Sequence, residues 1–124
     1  MPREFPRTRR VGEQIQRELA GLVHAEIKDP RLGMVSISAV TVSRDLAHAK
    51  VYVSVLGDEA AVTASLRVLN NAAGFLRRRL GQQMRIRAVP RLRFYFDKSI
   101  EEGARMDALI NAALSGSASK DQEE

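Results

Sequence analysis

The sequence predicts an α+β fold, a three-stranded sheet with helices packed on one face. Apolar residues recur at steps of three and four in long stretches and at alternate positions in short ones. The two kinds of stretch succeed one another as helix, strand, strand, kinked helix pair, strand, helix. The chain of 124 residues is 44% apolar and 28% charged, which suits one compact core and a solvated surface. The expected organisation is a flexible basic arm over 1–8, one domain over 9–114 and a disordered acidic tail over 115–124.

Val11, Ile15, Leu19, Leu22, Val23 and Ile27 make one apolar helix face. Asp29-Pro30 stops that helix, because the residue before a proline avoids the helical region, and Gly33 completes the turn. Residues 34–42 are β-branched or small, a strand signal. Val35, Ile37 and Ala39 share one face, whereas Val40 and Val42 fall on the other, so either the period slips or both faces are partly covered. Ser43-Arg44-Asp45 reads as a turn. Ala49, Val51, Val53 and Val55 then alternate with Lys50, Tyr52 and Ser54, which predicts an antiparallel hairpin over 34–56.

Gly57 ends the second strand, and Asp58 and Glu59 suit the positive end of a new helix. Val62, Leu66, Leu69, Ala73, Leu76 and Leu80 form a stripe that ends at Gly81, read as a C-terminal cap. Asn70, Asn71 and Gly74 interrupt it with poor helix formers. The register runs on, so two helices meeting at a kink are predicted. Leu92, Phe94 and Phe96 alternate with Arg91, Arg93 and Tyr95 as a third strand behind Pro90. Ser99 and Glu102 have capping-box spacing and open a last helix carrying Met106, Leu109, Ile110 and Leu114. Phe75, Phe94 and Phe96 are assigned to the core.

Formal charge is +5 and unevenly spread. Residues 60–96 hold eight arginines and no carboxylate, while residues 97–124 carry a net −4. A long stretch without acids is a directed field that favours a polyanion, and arginine is the better fork for phosphate. There is no cysteine, so disulfides, thiolate metal sites and cysteine nucleophiles are excluded. His24 and His48 lack ligand spacing. No catalytic residue, metal or cofactor is expected, and a minimal processing enzyme is disfavoured for want of converging carboxylates or histidines. No secretory signal or membrane span is expected, nor a small-molecule substrate. The expectation is a cytoplasmic monomer.

Three runs are more specific. They are Glu26-Ile27-Lys28-Asp29-Pro30-Arg31-Leu32-Gly33; Val42-Ser43-Arg44-Asp45-Leu46 with Ala49-Lys50-Val51-Tyr52-Val53-Ser54-Val55; and Arg91-Leu92-Arg93-Phe94-Tyr95-Phe96-Asp97-Lys98-Ser99-Ile100-Glu101-Glu102-Gly103. Together they resemble the bacterial ribosome-binding factor A family, over roughly residues 4–112. The resemblance implies a KH-like fold of the type II order. It implies binding to the free small (30S) ribosomal subunit, support for late maturation and processing of 16S rRNA, and growth in the cold. KH domains clamp RNA with a GXXG loop between paired helices. In this family an Ala-x-Gly kink takes that place, here Ala72-Ala73-Gly74, and one glycine allows less close approach of the backbone to phosphates than two.

The candidate RNA-binding residues are therefore Asn71, Ala72, Ala73 and Gly74 at the kink and Arg77, Arg78 and Arg79 after it. Arg85, Arg87, Arg91 and Arg93 follow on one parity of the third-strand region, and Arg9 and Arg10 stand at the first helix. Two readings of the kink stay open, an RNA contact or close packing of two helices without a ligand. Arg77 to Arg79 span about 200° of helix, so at least one lies off the core stripe. Tyr95 is the aromatic considered for base stacking. The alternative function is a protein adaptor on the assembling subunit, using the hairpin edge or the last helix.

Overall fold

The computed structural model describes residues 6–86 and 88–99. Its elements are α1 (Pro6–Glu26), β1 (Met34–Val42), β2 (His48–Leu56), α2 (Glu59–Asn71), α3 (Ala73–Met84) and β3 (Arg91–Phe96). The sheet order is β1-β2-β3, with β2 antiparallel to β1 and parallel to β3. This is the expected α+β architecture, and the strand bounds match the alternating stretches of the sequence. Of the two readings of β1, the slip is the one realised, as a bulge between Ile37 and Ala39. Downstream of it Val40 and Val42 turn onto the core face opposite Val51 and Ala49.

All three helices cover one face. Ile15, Leu19, Leu22 and Val23 of α1, Leu69 of α2, and Leu76, Leu80 and Met84 of α3 bury against Ala49, Val51, Val53, Val55, Leu92 and Phe94. Each fully buried leucine contributes about 1.5–3 kcal/mol over an exposed one. The core therefore holds the helix pair on the sheet despite its break. α1 approaches β1 closely at Gly12, where a methyl group would lie 2.9 Å from the Val40 carbonyl oxygen.

Four expectations are corrected. α1 already includes residues 6–8, so the first turn of the helix takes up part of the expected arm. α3 does not end at Gly81 but runs to Met84, with Arg85 as a left-handed cap at φ 58°. Gly81 lies within α3 against the next loop, where a methyl group would be in contact with Val89 Cγ2 at 3.4 Å. Arg85 is consequently a helix cap and shares no strand parity with Arg91 and Arg93. Finally, Phe75 is 37% exposed rather than core, whereas Phe94 is buried as expected. The Ser99–Glu102 capping box, the last helix, the acidic tail and Arg87 lie outside the described residues. Just before that region, the Asp97 carboxylate accepts from both the amide and the hydroxyl of Ser99.

Candidate nucleic-acid interface

The kink is one residue wide. Ala72 leaves the helical region at φ −93°, ψ 3° after its N–H has bonded back to Val68 and Leu69. Its carbonyl accepts from the Leu76 N–H at 2.9 Å, which starts α3 at once. α3 begins without a side-chain cap and has no acidic residue in its first turn. An uncapped helix start of this kind favours an anion.

Why Gly74 stands there is informative. A methyl group built on it meets nothing within 4 Å, and its φ is not positive. Neither packing nor backbone conformation requires glycine at that position. Asn70 has a separate explanation. Its side chain accepts from the Phe94 N–H at 2.8 Å and donates to the Phe94 carbonyl at 3.2 Å. Because β3 is an edge strand, these bonds satisfy main-chain groups that the sheet leaves unpaired. Asn71, one residue on, is exposed.

The candidate residues divide into groups. Ala73, Gly74 and Arg77 face Arg91 and Leu92 across a cleft of about 240 Å³. Arg77 and Arg91 also border a deeper cavity of about 540 Å³, whose floor includes Val11, Ile86 and Val89 and whose rim includes Arg7. Arginines from α1, α3 and β3 thus line one cavity, and two of them, Arg77 and Arg91, also border the kink. Asn71 and Ala72 look the other way, towards Phe75, Ile27 and Lys28. Arg93 lies on the sheet face opposite the helices, in the same row as Lys50.

The three consecutive arginines have different duties. Arg77 donates from Nε to the Val89 carbonyl at 2.9 Å, which ties α3 to the loop before β3. Arg79 pairs with Glu26 at 3.2 Å and also donates to Gln82. Its expected role in phosphate contact is therefore contested by the chain's own carboxylate. Arg78 is exposed and has no partner among the described residues. Arg9 lies 3.7 Å from Glu13 on the next turn, an exposed pair of small energetic weight. Arg10 is exposed without a partner among the described residues, as is Arg85.

The candidate set did not include Arg7, which the sequence placed in the basic arm, nor Lys50 and Tyr52. The period-two pattern does put Lys50 and Tyr52 on the polar strand face, and their relation to β3 needed the strand order. Asp29 and Asp45 close turns rather than form a site. Bonds from the Arg31 side chain and backbone hold the Asp29 carboxyl down to about 2, and bonds from Ser43 and the Ala47 amide lower that of Asp45. Among the described residues no group of three or more His, Cys, Asp or Glu could hold a metal ion.

Fold and surface together define a KH-like α+β domain that turns a bent, cationic helix pair outward. A family model described as ribosome-binding factor A matches residues 7–110, and the chain belongs to that family. A ribosome-binding factor A of Thioalkalivibrio sulfidiphilus is 58% identical over 114 residues, 92% of this chain and 88% of that one. One from Stutzerimonas stutzeri is 52% identical over 117 residues, 92% of this chain and 91% of that one. Among solved structures, the crystal structure of ribosome-binding factor A from Thermus thermophilus superposes with TM-score 0.65 at 32% identity, covering 72% of this chain and 93% of that one. A second Thermus thermophilus structure has TM-score 0.60 at 33% identity over 70% of this chain and 91% of that one. It is a homology model of the factor fitted into an electron cryo-microscopy map of a complex with the 30S subunit.

Proposed function

We propose that this chain is a ribosome assembly factor of the cytoplasm. It binds the free small ribosomal subunit and assists late maturation and processing of 16S rRNA by positioning RNA, without catalysis. Family membership and a structural relative fitted to a 30S complex support the partner.

One observation carries the contact site. Gly74 is a glycine that neither packing nor φ calls for, at the uncapped start of α3, in a cleft bordered by Arg77 and Arg91. A missing side chain there lets a phosphate reach the main chain. Of the two readings of the kink, this favours RNA contact over close helix packing. Arg78 and Arg91 then neutralise neighbouring phosphates as mobile, solvent-facing cations, and Arg77 contributes from a fixed position.

The test is sedimentation of the protein with free small subunits and with whole ribosomes at two salt concentrations. Co-sedimentation with free subunits is expected, weakening as salt rises with a log–log slope of about −0.9 for each phosphate neutralised. Equal binding to whole ribosomes, or a flat salt response, argues against the reading.

A second reading, a protein adaptor, draws on Phe75. Its ring is exposed above a shallow depression formed with Ile27, Val68 and Ala72. Association with subunit proteins that survives complete RNA digestion would favour it.

A further inference from the structure

The sheet face turned away from the helices carries a second surface. The register places Thr41, Lys50 and Arg93 in one row, Ala39, Tyr52 and Tyr95 in the next, and His48 beside Arg91. These rows alternate with the buried rows of Val51 with Phe94 and Ala49 with Leu92. They therefore face away from the core. The Tyr52 and Tyr95 rings lie 5.8 Å apart between centroids at 33°, and both are half-buried. The side chains of Lys50, Arg91 and Arg93 are exposed and have no partner among the described residues.

We propose that this face, uncovered among the described residues, binds single-stranded RNA, with bases stacking on Tyr52 and Tyr95 and phosphates meeting Lys50, Arg91 and Arg93. It is a site beside the kink that shares Arg91 with it, while Tyr52, Tyr95, Lys50 and Arg93 do not depend on the reading given for the kink. Base stacking on aromatic rings combined with cations along the backbone path is the general chemistry of single-strand recognition, and sheets present such rings well. The rows that hold the three cations hold no carboxylate. That charge balance fits a polyanion better than a protein surface, whose apolar anchors would find only two rings here.

The surface also has direction. Asp97, at the far end of β3, is bonded by the hydroxyls of Ser38 and Ser99. Its negative charge repels phosphate from that end and leaves the Arg91 end for entry. Arg91 borders the kink cleft as well. A strand leaving the cleft thus crosses the free edge of β3 onto the tyrosines. Cross-strand packing of two rings is the competing explanation for the pair, and it calls for no RNA response.

The chain has two tyrosines and no tryptophan, so its tyrosine emission reports on these rings alone. The full-length protein is titrated with oligouridine of about ten nucleotides and, separately, with inorganic polyphosphate. Oligouridine is expected to quench the emission, less so at high salt, while polyphosphate binds without that quench. Anisotropy of end-labelled oligouridine should show Tyr95→Leu binding on the order of tenfold more weakly, with an unchanged thermal melt. Lys50→Gln should weaken binding and flatten its salt dependence with both rings intact. The proposal is overturned if oligouridine fails to bind, binds without quenching, or binds Tyr95→Leu as well as the parent. A Gly74→Ala protein that loses subunit binding yet keeps the quench shows the two sites to be separate and supports this one.

Discussion

The side-chain amide of Asn70 lies along the main chain of Phe94, taking its N–H at 2.8 Å and giving a hydrogen to its carbonyl at 3.2 Å. Two hydrogen bonds thereby fasten the last turn of α2 to the open edge of β3, just before the kink. Replacing Asn70 with Ala leaves both Phe94 groups partly buried and unpaired. A loss of about 1–3 kcal/mol is expected in denaturant unfolding. Asn70→Asp keeps the acceptor but turns a carboxylate oxygen towards the Phe94 carbonyl, so it should not restore the parent's stability. An Asn70→Ala protein as stable as the parent would remove the clamp from the account.

Gly74 gives the opposite sign. Alanine meets no neighbour there, and the backbone is not left-handed. Gly74→Ala should raise stability by up to about 0.5–1 kcal/mol, because alanine loses less backbone entropy on helix formation. Subunit binding, measured by sedimentation, should weaken as the methyl group holds phosphate away from the main chain. Higher stability with undiminished binding would mean that the kink does not touch RNA.

Arg78 and Arg79, adjacent in sequence, should separate cleanly. Arg78→Gln removes an exposed, unpartnered cation, so binding should weaken with the salt slope reduced by about 1 and stability unchanged within about 0.5 kcal/mol. Glu26→Gln instead breaks the pair that joins α1 to α3. About 0.5–1 kcal/mol of stability should be lost, since both partners are about one-third exposed and screened by solvent. Binding should hold or improve, because Arg79 is released. Weaker binding by Glu26→Gln would contradict this division of roles.

The turn after α1 has its own acid titration. Asp29 accepts from Arg31 Nε at 3.0 Å, from Nη2 at 2.7 Å and from the Arg31 amide at 2.9 Å, which lowers its carboxyl from 3.8 to about 2. A carboxyl depressed in the folded state stabilises it above the ordinary value, and that contribution fades as pH falls from about 4 to about 2. Carboxyl-detected NMR should find the Asp29 midpoint near 2. In Arg31→Gln it should return most of the way to the ordinary range, and an unmoved midpoint would assign the shift to another cause.

Much of the fold was legible because the signals behind it are local. Alternation placed β2 and β3, β-branched residues placed β1, and of the two readings of β1 the slip is the one realised, as a bulge between Ile37 and Ala39. The glycine at 81 misled, because a glycine that ends a helix and one carried inside it look alike until the helix is seen to run on to Met84. Phe75 misled in a related way. It lies one residue before the core position Leu76, and only the packing of α1 against α3 shows that its side is uncovered.

By itself the sequence determined the element order, the core stripe, the break near Ala72 and the acid-free run that sets the sign of the partner. Those follow from periodicity and composition, which act along the chain. Tertiary structure alone decided which cations are available. Arg79 meets Glu26, Arg77 meets Val89, and Arg7, far away in sequence, arrives beside Arg91. Charge belongs to a residue, but its availability depends on what folding brings within about 4 Å of it, and no local pattern encodes that distance.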